Sequence, residues 1–471
     1  MHRRRGIELK RRAAVTRSGR GSRICILTRY PRLGEVKTRL VPPLSAEEAL
    51  ALHERLTRHT LRRALTLAAT SEARVEVRTD AAFHRVAHDW LGGGFSTRYQ
   101  GEGDLGDRIR LVFGEAFASG EQRVVLVGSD CPRLTSAHLR DALARLGDAD
   151  VVLGPATDGG YYLVALRRES SKRSVPVLFS EVPWSTADVL ARTIEIAERH
   201  GLTVALLEPL PDVDRPEDLT DAEVALTACE LSANARVSVV IPVLDDAPGV
   251  AAAVTSARTA GADEIVVIDG GSRDGTRAIA TAAGARVLTS APGRARQMNA
   301  GAAAATGDIL VFLHADTLLP PRACVLARAA LARPGVAAGA FGFAVPTDTR
   351  LGRIVDFAGR WRARLTRFPH GDQALFVSAC TFRDLGGFPD LPTMEDWELV
   401  TRLRRLGVVQ ILHEPAVTSA RAWERYGLMR VTALNLAVIA AYRLGVNPRR
   451  LAGWRDRIAP IRAHSHHDAP F

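Results

Sequence analysis

The chain has 471 residues, 46% of them apolar, five cysteines and a formal charge of +11. That length suits two domains better than one, and the apolar content is enough for a core in each. The charge is not a general nucleic-acid footprint, because residues 1–23 alone hold nine Lys/Arg against one Glu and no basic-aromatic face follows.

Taken in chain order, the basic start lacks the apolar run of a secretory signal and reads as a disordered tail over 1–21. Anionic lipid or RNA is what such a tail would meet. The first domain is expected over 22–231. RICILTRY reads as a strand. SAEEALALHERLTRHTLRRALTLA has helical spacing, with Ser45 as cap and Glu48 three residues later, the pattern of a capping box. Strand-like runs recur at ARVEVRT, RVVLVGSD and DVVLGPA, with helical segments between them. This alternation predicts a mostly parallel sheet. Residues 232–236 read as a linker.

At Val237 the pattern restarts. VSVVIPVLDD, EIVVIDGGSRDGT and DILVFLHAD are apolar runs that end in carboxylates or glycines. A parallel sheet delivers such groups to the carboxyl ends of its strands, where α/β folds bind ligands. The Ala-rich stretches between them are good helix material. A second acidic cluster lies in PTMEDWELVTRLRRLG. LMRVTALNLAVIAAYRLG, residues 428–445, comes nearest to a membrane span but is interrupted by Arg430 and Asn435. It reads as a buried or dimer-forming helix, or as one lying on a membrane surface. The second domain is expected to end at 455, with a flexible tail over 456–471. The cysteines form no CxxC pair, so neither a disulfide framework nor a zinc site is implied, and a cytoplasmic location fits.

These stretches carry a resemblance. Residues 237–455 resemble an inverting family-2 glycosyltransferase with a GT-A fold, and more narrowly the subgroup named for arsenosugar biosynthesis. VSVVIPVLDD, VVIDGGSRDGT, GRARQMNAGAAAATGDILVFLHADT, HGDQALFVSACTFRDLGGFP and MEDWELVTRLRRLG stand in family order. The resemblance implies that Asp316 binds Mg²⁺ or Mn²⁺, since a departing diphosphate needs a divalent cation. The family often has Asp-x-Asp there, whereas this chain has His314 at the first position. By the same carry-over, Asp269 contacts the nucleobase, Asp246 the ribose, and Arg294 and Asn299 lie beside the nucleotide, with His314 also on the donor side. Asp396 is the implied general base, because an inverting transfer needs one carboxylate to take the acceptor's proton. Asp372, Gln373, Glu395 and Trp423 are implied for the acceptor, with His370 in the same loop. Read without the family, Glu395 and Asp396 simply begin a helix, and Trp423 packs as core. QxxRW is absent, so processive polymer synthesis is not supported.

In the first domain, KTRL, QGEGDLGDRI, VLVGSDCPRL, GPATDGGYYLVAL and DVDRPEDL resemble a group of nucleotidyltransferase-like proteins partnered with that glycosyltransferase. They are distantly similar to guanylyltransferases of cofactor synthesis. The resemblance implies a phosphate-binding loop at Gly34, Lys37 and Arg39, metal ligands at Asp130 and Asp214, and a second-substrate side at Asp158, Gly159 and Gly160. No Walker motif is present. Cys131 has no neighbouring His to activate it and is discounted as a nucleophile. The fold class expected is two tandem α/β, Rossmann-type GT-A-like domains. The function expected is metal-assisted sugar transfer from a nucleotide-sugar donor to a small-molecule or lipid-like acceptor. The first domain is expected to bind a nucleoside triphosphate. A peripheral membrane contact and a homodimer are compatible partners, and specific nucleic acid is not expected. The alternatives are a non-catalytic scaffold in the first domain, or a nucleotide-sugar or nucleic-acid binding protein.

Overall fold

A computed structural model describes residues 21–71, 73–80, 90–91, 94–227, 230–232, 234–333, 335–346, 368–369, 371–419 and 421–458. The tail over 1–20, His370, Cys229 and residues 459–471 lie outside the described residues, as do the side chains of 422–423, 428–429 and 455–458. The chain divides into two compact units, Met1–Glu230 and Leu231–Phe471.

The first unit holds β1 (Ser22–Leu27), β2 (Arg74–Thr79), β3 (Ser96–Tyr99), β4 (Arg123–Gly128), β5 (Val151–Pro155), β6 (Tyr161–Arg167) and β7 (Val204–Leu206). They form one sheet in the order β3-β2-β1-β4-β6-β5-β7. All run parallel except β6, which is antiparallel to β4 and β5. Central strands of such a sheet are covered on both faces, so they read as continuous apolar runs. Val124, Val125, Leu126 and Val127 of β4 are all buried. The helix Ala46–Thr70 begins where its sequence says: the Ser45 hydroxyl accepts the Glu48 N–H, and the Glu48 carboxylate accepts the Ser45 N–H at 2.8 Å.

β2 differs from its pattern. Alternation in ARVEVRT suggests one wet face, yet Glu76 and Arg78 are both buried. They are tolerated because they are paired: Arg23 bonds Glu76 at 2.9 Å and Glu121 at 3.0 Å, and Arg78 bonds Glu76 and Glu115 at 2.7 Å each.

The second unit holds β8 (Val237–Val243), β9 (Glu264–Asp269), β10 (Arg286–Thr289), β11 (Ile309–Phe312), β12 (Thr317–Leu318), β13 (Val336–Ala344), β14 (Phe376–Ser378) and β15 (Val408–Thr418). The order is β10-β9-β8-β11-β14-β13-β15-β12. β14 is antiparallel to both neighbours, and the short β12 runs antiparallel to β15 at the edge. Leaving out β12, the second sheet repeats the strand order and directions of the first. The expected α/β class and mostly parallel sheets are borne out, with one reversed strand inside each. The core joins Val239, Ile241, Val267, Val311 and Phe341 to the helices Ala247–Thr259 and Ala323–Leu331.

Residues 428–445 contain the helix Leu428–Arg443, and the helix Pro448–Ile458 runs across the expected boundary at 455. Among the described residues no helix is long and apolar enough to cross a membrane.

Candidate functional site

In the second unit, β8, β9 and β11 are parallel, so their carboxyl ends present Asp246, Asp269 and His314–Asp316 on one side. Asp269 ends β9 and is fully buried. Its carboxylate accepts the N–H of Gly271 at 3.1 Å and of Ser272 at 3.0 Å, with Arg277 at 3.8 Å. In this conformation it moulds the DGGS turn. Asp246 precedes the helix Ala247–Thr259 but gives that helix no side-chain cap. Instead it meets Arg421 at 3.2 and 3.4 Å, and the same guanidinium stands 4.0 Å from Asp316. Burial opposes this charge, but Asp246 and then Asp316 hold the guanidinium's pKa above its ordinary value. Sequence reasoning missed Arg421. It picked Trp423 from the same stretch, and the Trp423 side chain lies outside the described residues.

A second cluster forms at the helix Glu395–Leu406, which starts after Met394 in the left-handed region at φ 69°. Glu395, Asp396 and Glu398 occupy its first turn, where the helix dipole favours acids. Asp396 accepts the Gly371 N–H at 2.8 Å and the Trp397 N–H at 2.7 Å. Both readings of Asp396 therefore have a structural basis: it serves the helix start, and its carboxylate is aimed at the loop at Gly371. A Cβ on Gly371 would lie 3.1 Å from the His314 ring and 3.2 Å from the Asp396 carboxylate, so these three groups converge. Arg294, at the first position of the helix Arg294–Ala304, forms a tight ion pair with Glu395. Burial opposes the Arg294 charge, and Glu395, Asp396 and Asp372 raise its pKa. One oxygen of Glu395 (Oε2) and one of Asp372 (Oδ1) are buried without a hydrogen-bond partner. Met298, Phe312, His314, Gly371, Glu395 and Asp396 border a cavity of about 10 Å³ beside them.

Two expected contacts are placed in the frame of the site. The Asn299 amide binds the Phe388 C=O at 2.8 Å and N–H at 2.9 Å. Gln373 is fully buried and donates to the Phe341 carbonyl at 2.9 Å.

In the first unit the loop after β1 brings Lys37 to Asp130 at 2.5 Å, to the Val213 carbonyl at 2.6 Å and to Asp214 at 3.5 Å. Arg39, largely exposed, reaches Asp214 at 3.0 Å. Burial works against the Lys37 charge, yet Asp130 raises its pKa; Lys37 in turn lowers that of Asp130 against burial. Asp158 accepts the Gly160 N–H at 2.8 Å. Gly159 has φ +92°, and a Cβ there would lie 2.2 Å from the Ala187 carbonyl, so only glycine fits. Gly34 has φ +75° with open space around it. Asp212 also belongs here, its pKa pushed up to about 6 by burial and by Asp158, Asp214 and Asp130. In the DVD stretch the central Val213 is buried, while Asp212 and Asp214 on either side are half-buried. Cys131 is buried and burial pushes its thiol pKa well up, so it is an inert thiol. Among the described residues, no three His, Cys, Asp or Glu are grouped to hold a metal ion by themselves.

Residues 60–186 match the family described as uncharacterized protein conserved in bacteria (DUF2064), and residues 238–381 match glycosyl transferase family 2. The chain is similar to 2-phospho-L-lactate guanylyltransferase from Methanopyrus kandleri, with 39% identity over 100 residues, 21% of this chain and 48% of that protein. It is also similar to glucosyl-3-phosphoglycerate synthase from Mycolicibacterium paratuberculosis, with 34% identity over 109 residues, 20% of this chain and 33% of that one. The chain thus spans less than half the length of these curated relatives. A solved structure of a mannosyltransferase from Pyrobaculum calidifontis, in complex with GDP-Man and Mn²⁺, shares 23% identity over 48% of this chain and 69% of that chain, with a TM-score of 0.36.

Proposed function

We propose that this chain, with a glycosyl transferase family 2 domain behind a domain of the DUF2064 family, transfers a sugar from a nucleotide-diphosphate donor to an acceptor hydroxyl with inversion. The observation that carries this reading is the pair of buried, unpartnered carboxylate oxygens on Glu395 and Asp372 near Asp396. Leaving such an oxygen unsatisfied costs about 1–3 kcal/mol, and more when it is charged. In a native protein such a group calls for a cause, and a catalytic role or a bound partner is one. Hydroxyls of a sugar or a polyol acceptor are donors of the missing kind. Asp396, held by two backbone N–H groups, then accepts the proton of the attacking hydroxyl. Arg294 balances the acids around it.

The donor side supports a divalent cation. The Arg421 guanidinium already lies between Asp246 and Asp316, so this place accepts positive charge, and its oxygen donors suit Mg²⁺ or Mn²⁺. Two carboxylates make no complete cage, and the donor's phosphates would supply further oxygens. The bound ion would offset charge growing on the departing diphosphate. Asp316 and Asp246 would hold it, and Arg421 would turn to the phosphates.

For the first unit we infer metal-dependent nucleoside triphosphate binding by Lys37, Arg39, Asp130 and Asp214, with nucleotidyl transfer as its reaction. The similarity to a guanylyltransferase supports this. The second reading, a scaffold without catalysis, is favoured by Lys37 and Arg39, whose two charges already neutralise Asp130 and Asp214.

Asp396→Asn tests the central claim. It keeps size and shape but cannot take a proton, so turnover should fall about 10²–10⁴-fold with donor affinity and melting temperature kept. A binding role predicts lost affinity, and a helix-start role lost stability alone. Wild-type turnover would refute Asp396 as base.

A further inference from the structure

We propose that the helices Leu428–Arg443 and Pro448–Ile458 form a docking face for an anionic lipid surface, and that the acceptor is met there. The first helix has two dissimilar faces. Val431, Leu434 and Val438 are buried, the last two in a cluster with Met394 and Leu451. Ala433, Leu436, Ala437 and Ala440 are exposed, and helical spacing lines them up as one apolar stripe. Leu436 is 59% exposed, Leu444 just beyond the helix 85%, and Trp454 on the next helix 38%. A protein surface rarely leaves such residues together without a partner.

The same spacing sets Arg430 and Arg443 on the two borders of the stripe, both exposed. Arg449 and Arg450, also exposed, follow at once. From Arg421 to Ile458 the sequence has eight arginines against two acids, Glu424 and Asp456. This charge selects the occupant. A second copy related by two-fold symmetry would bring the same arginines face to face. Nucleic acid would answer the charge but give no return for burying Leu436 and Leu444. A bilayer with anionic headgroups uses both features at once, arginines at headgroup level and the apolar stripe below it.

The face is fixed to the proposed site. Met394, which packs on this helix, is followed directly by Glu395 and Asp396, and the Tyr442 hydroxyl donates to Glu398 at 3.1 Å. A docked helix would therefore hold the start of the Glu395–Leu406 helix close to the membrane. This makes the acceptor lipid-borne, a step that rests on the transferase reading. The docking itself does not.

The test is flotation of the full-length protein with vesicles of phosphatidylcholine alone or mixed with phosphatidylglycerol. Wild type should float only with the mixed vesicles. Leu436→Glu with Leu444→Glu should lower the partition coefficient about tenfold or more, with melting temperature and nucleotide-sugar affinity unchanged. Arg443→Gln, Arg449→Gln and Arg450→Gln together should weaken flotation and its salt dependence. If the glutamate variant floats like wild type, binding belongs to the basic N-terminal residues and the proposal fails. It also fails if wild type stays unbound, or if sedimentation shows a dimer, or gel shift an RNA complex, that only the glutamate variant loses. Flotation as expected, with no sugar transfer to any acceptor, would sink the transferase reading and leave the docking face standing.

Discussion

At Asp130 and at Asp316 a partly exposed carboxylate shares a cationic side chain with a second acid. Lys37 joins Asp130 to Asp214, and Arg421 joins Asp316 to Asp246. Each cation stabilises its acids when no ligand is bound, and on the proposed reading it would compete with a metal ion for them. Removing the competitor has a definite sign. Arg421→Ala should tighten binding of Mn²⁺ alone by about two- to fivefold, the range expected for a partly exposed ion pair, while weakening the nucleotide-sugar donor. Calorimetry with and without nucleotide separates the two, and unchanged Mn²⁺ affinity would show that Arg421 does not compete. Asp316→Ala should remove the dependence of donor affinity on Mn²⁺, and an undiminished dependence would place the metal elsewhere. The acids were legible in the sequence because they end apolar strands. Arg421 was not, because its meaning comes from a contact 175 residues away. Asn299 and Gln373 carry a second signal: polar residues inside motifs look like ligands, and here both also satisfy backbone carbonyls, of Phe388 in a loop and of Phe341 in β13.

At the scale of elements, the least obvious tie is between the starts of β5 and β7. Asp150 accepts the Thr203 N–H and hydroxyl at 3.0 Å each and Arg167 at 2.6 Å. Burial alone would raise its pKa, but the Thr203 N–H, then Arg167, bring it down to about 2. A folded pKa below the unfolded one gives stability that is present above pH 4 and lost as pH falls toward 2. Asp150→Asn should therefore cost about 2 kcal/mol near neutral pH and flatten the stability curve between pH 4 and 2. Equal slopes for both proteins in denaturant titrations would overturn this. The Ser45 cap makes a simpler case: Ser45→Ala should cost about 1 kcal/mol, read as a lower urea midpoint with an unchanged slope. That helix start was legible because a capping box is local. The reversal of β6 was not drawn from the sequence. Its signal was the Asp158-Gly159 pair between two apolar runs, where Ala156 and Gly160 close the turn. Read only as a ligand loop, the pair hid a hairpin.

At the scale of the molecule, two units that each own a sheet and a core should respond to ligands separately. In calorimetry, Mg²⁺ with a nucleoside triphosphate should raise one thermal transition, and Mn²⁺ with a nucleotide sugar the other. Asp130→Asn should cancel only the first shift. A single transition moved by both ligands would mean that the units unfold as one. The two-domain plan was legible because the β-α pattern restarts at Val237. The likeness of the two domains was expected from the resemblance of both to GT-A-like proteins, and the strand order makes it specific.

That shared order poses a problem for the nascent chain. β1 and β8 occupy the same slot, and on a ribosome the first sheet assembles before the second is made, with tandem domains prone to exchange strands. Arg23 and Ser238 hold matching places, each opposite the first residue of its neighbouring strand, Arg74 and Glu264. A late-arriving β8 in place of β1 would set a serine where Arg23 holds Glu76 and Glu121, leaving Glu76 to Arg78 and the buried Glu121 to Arg74 at 3.5 Å. Breaking a buried pair costs up to about 3–5 kcal/mol when nothing else compensates the charge, and the remaining arginines reduce that here. The interior arginine would thus act as an address, favouring one strand over its twin in the first sheet.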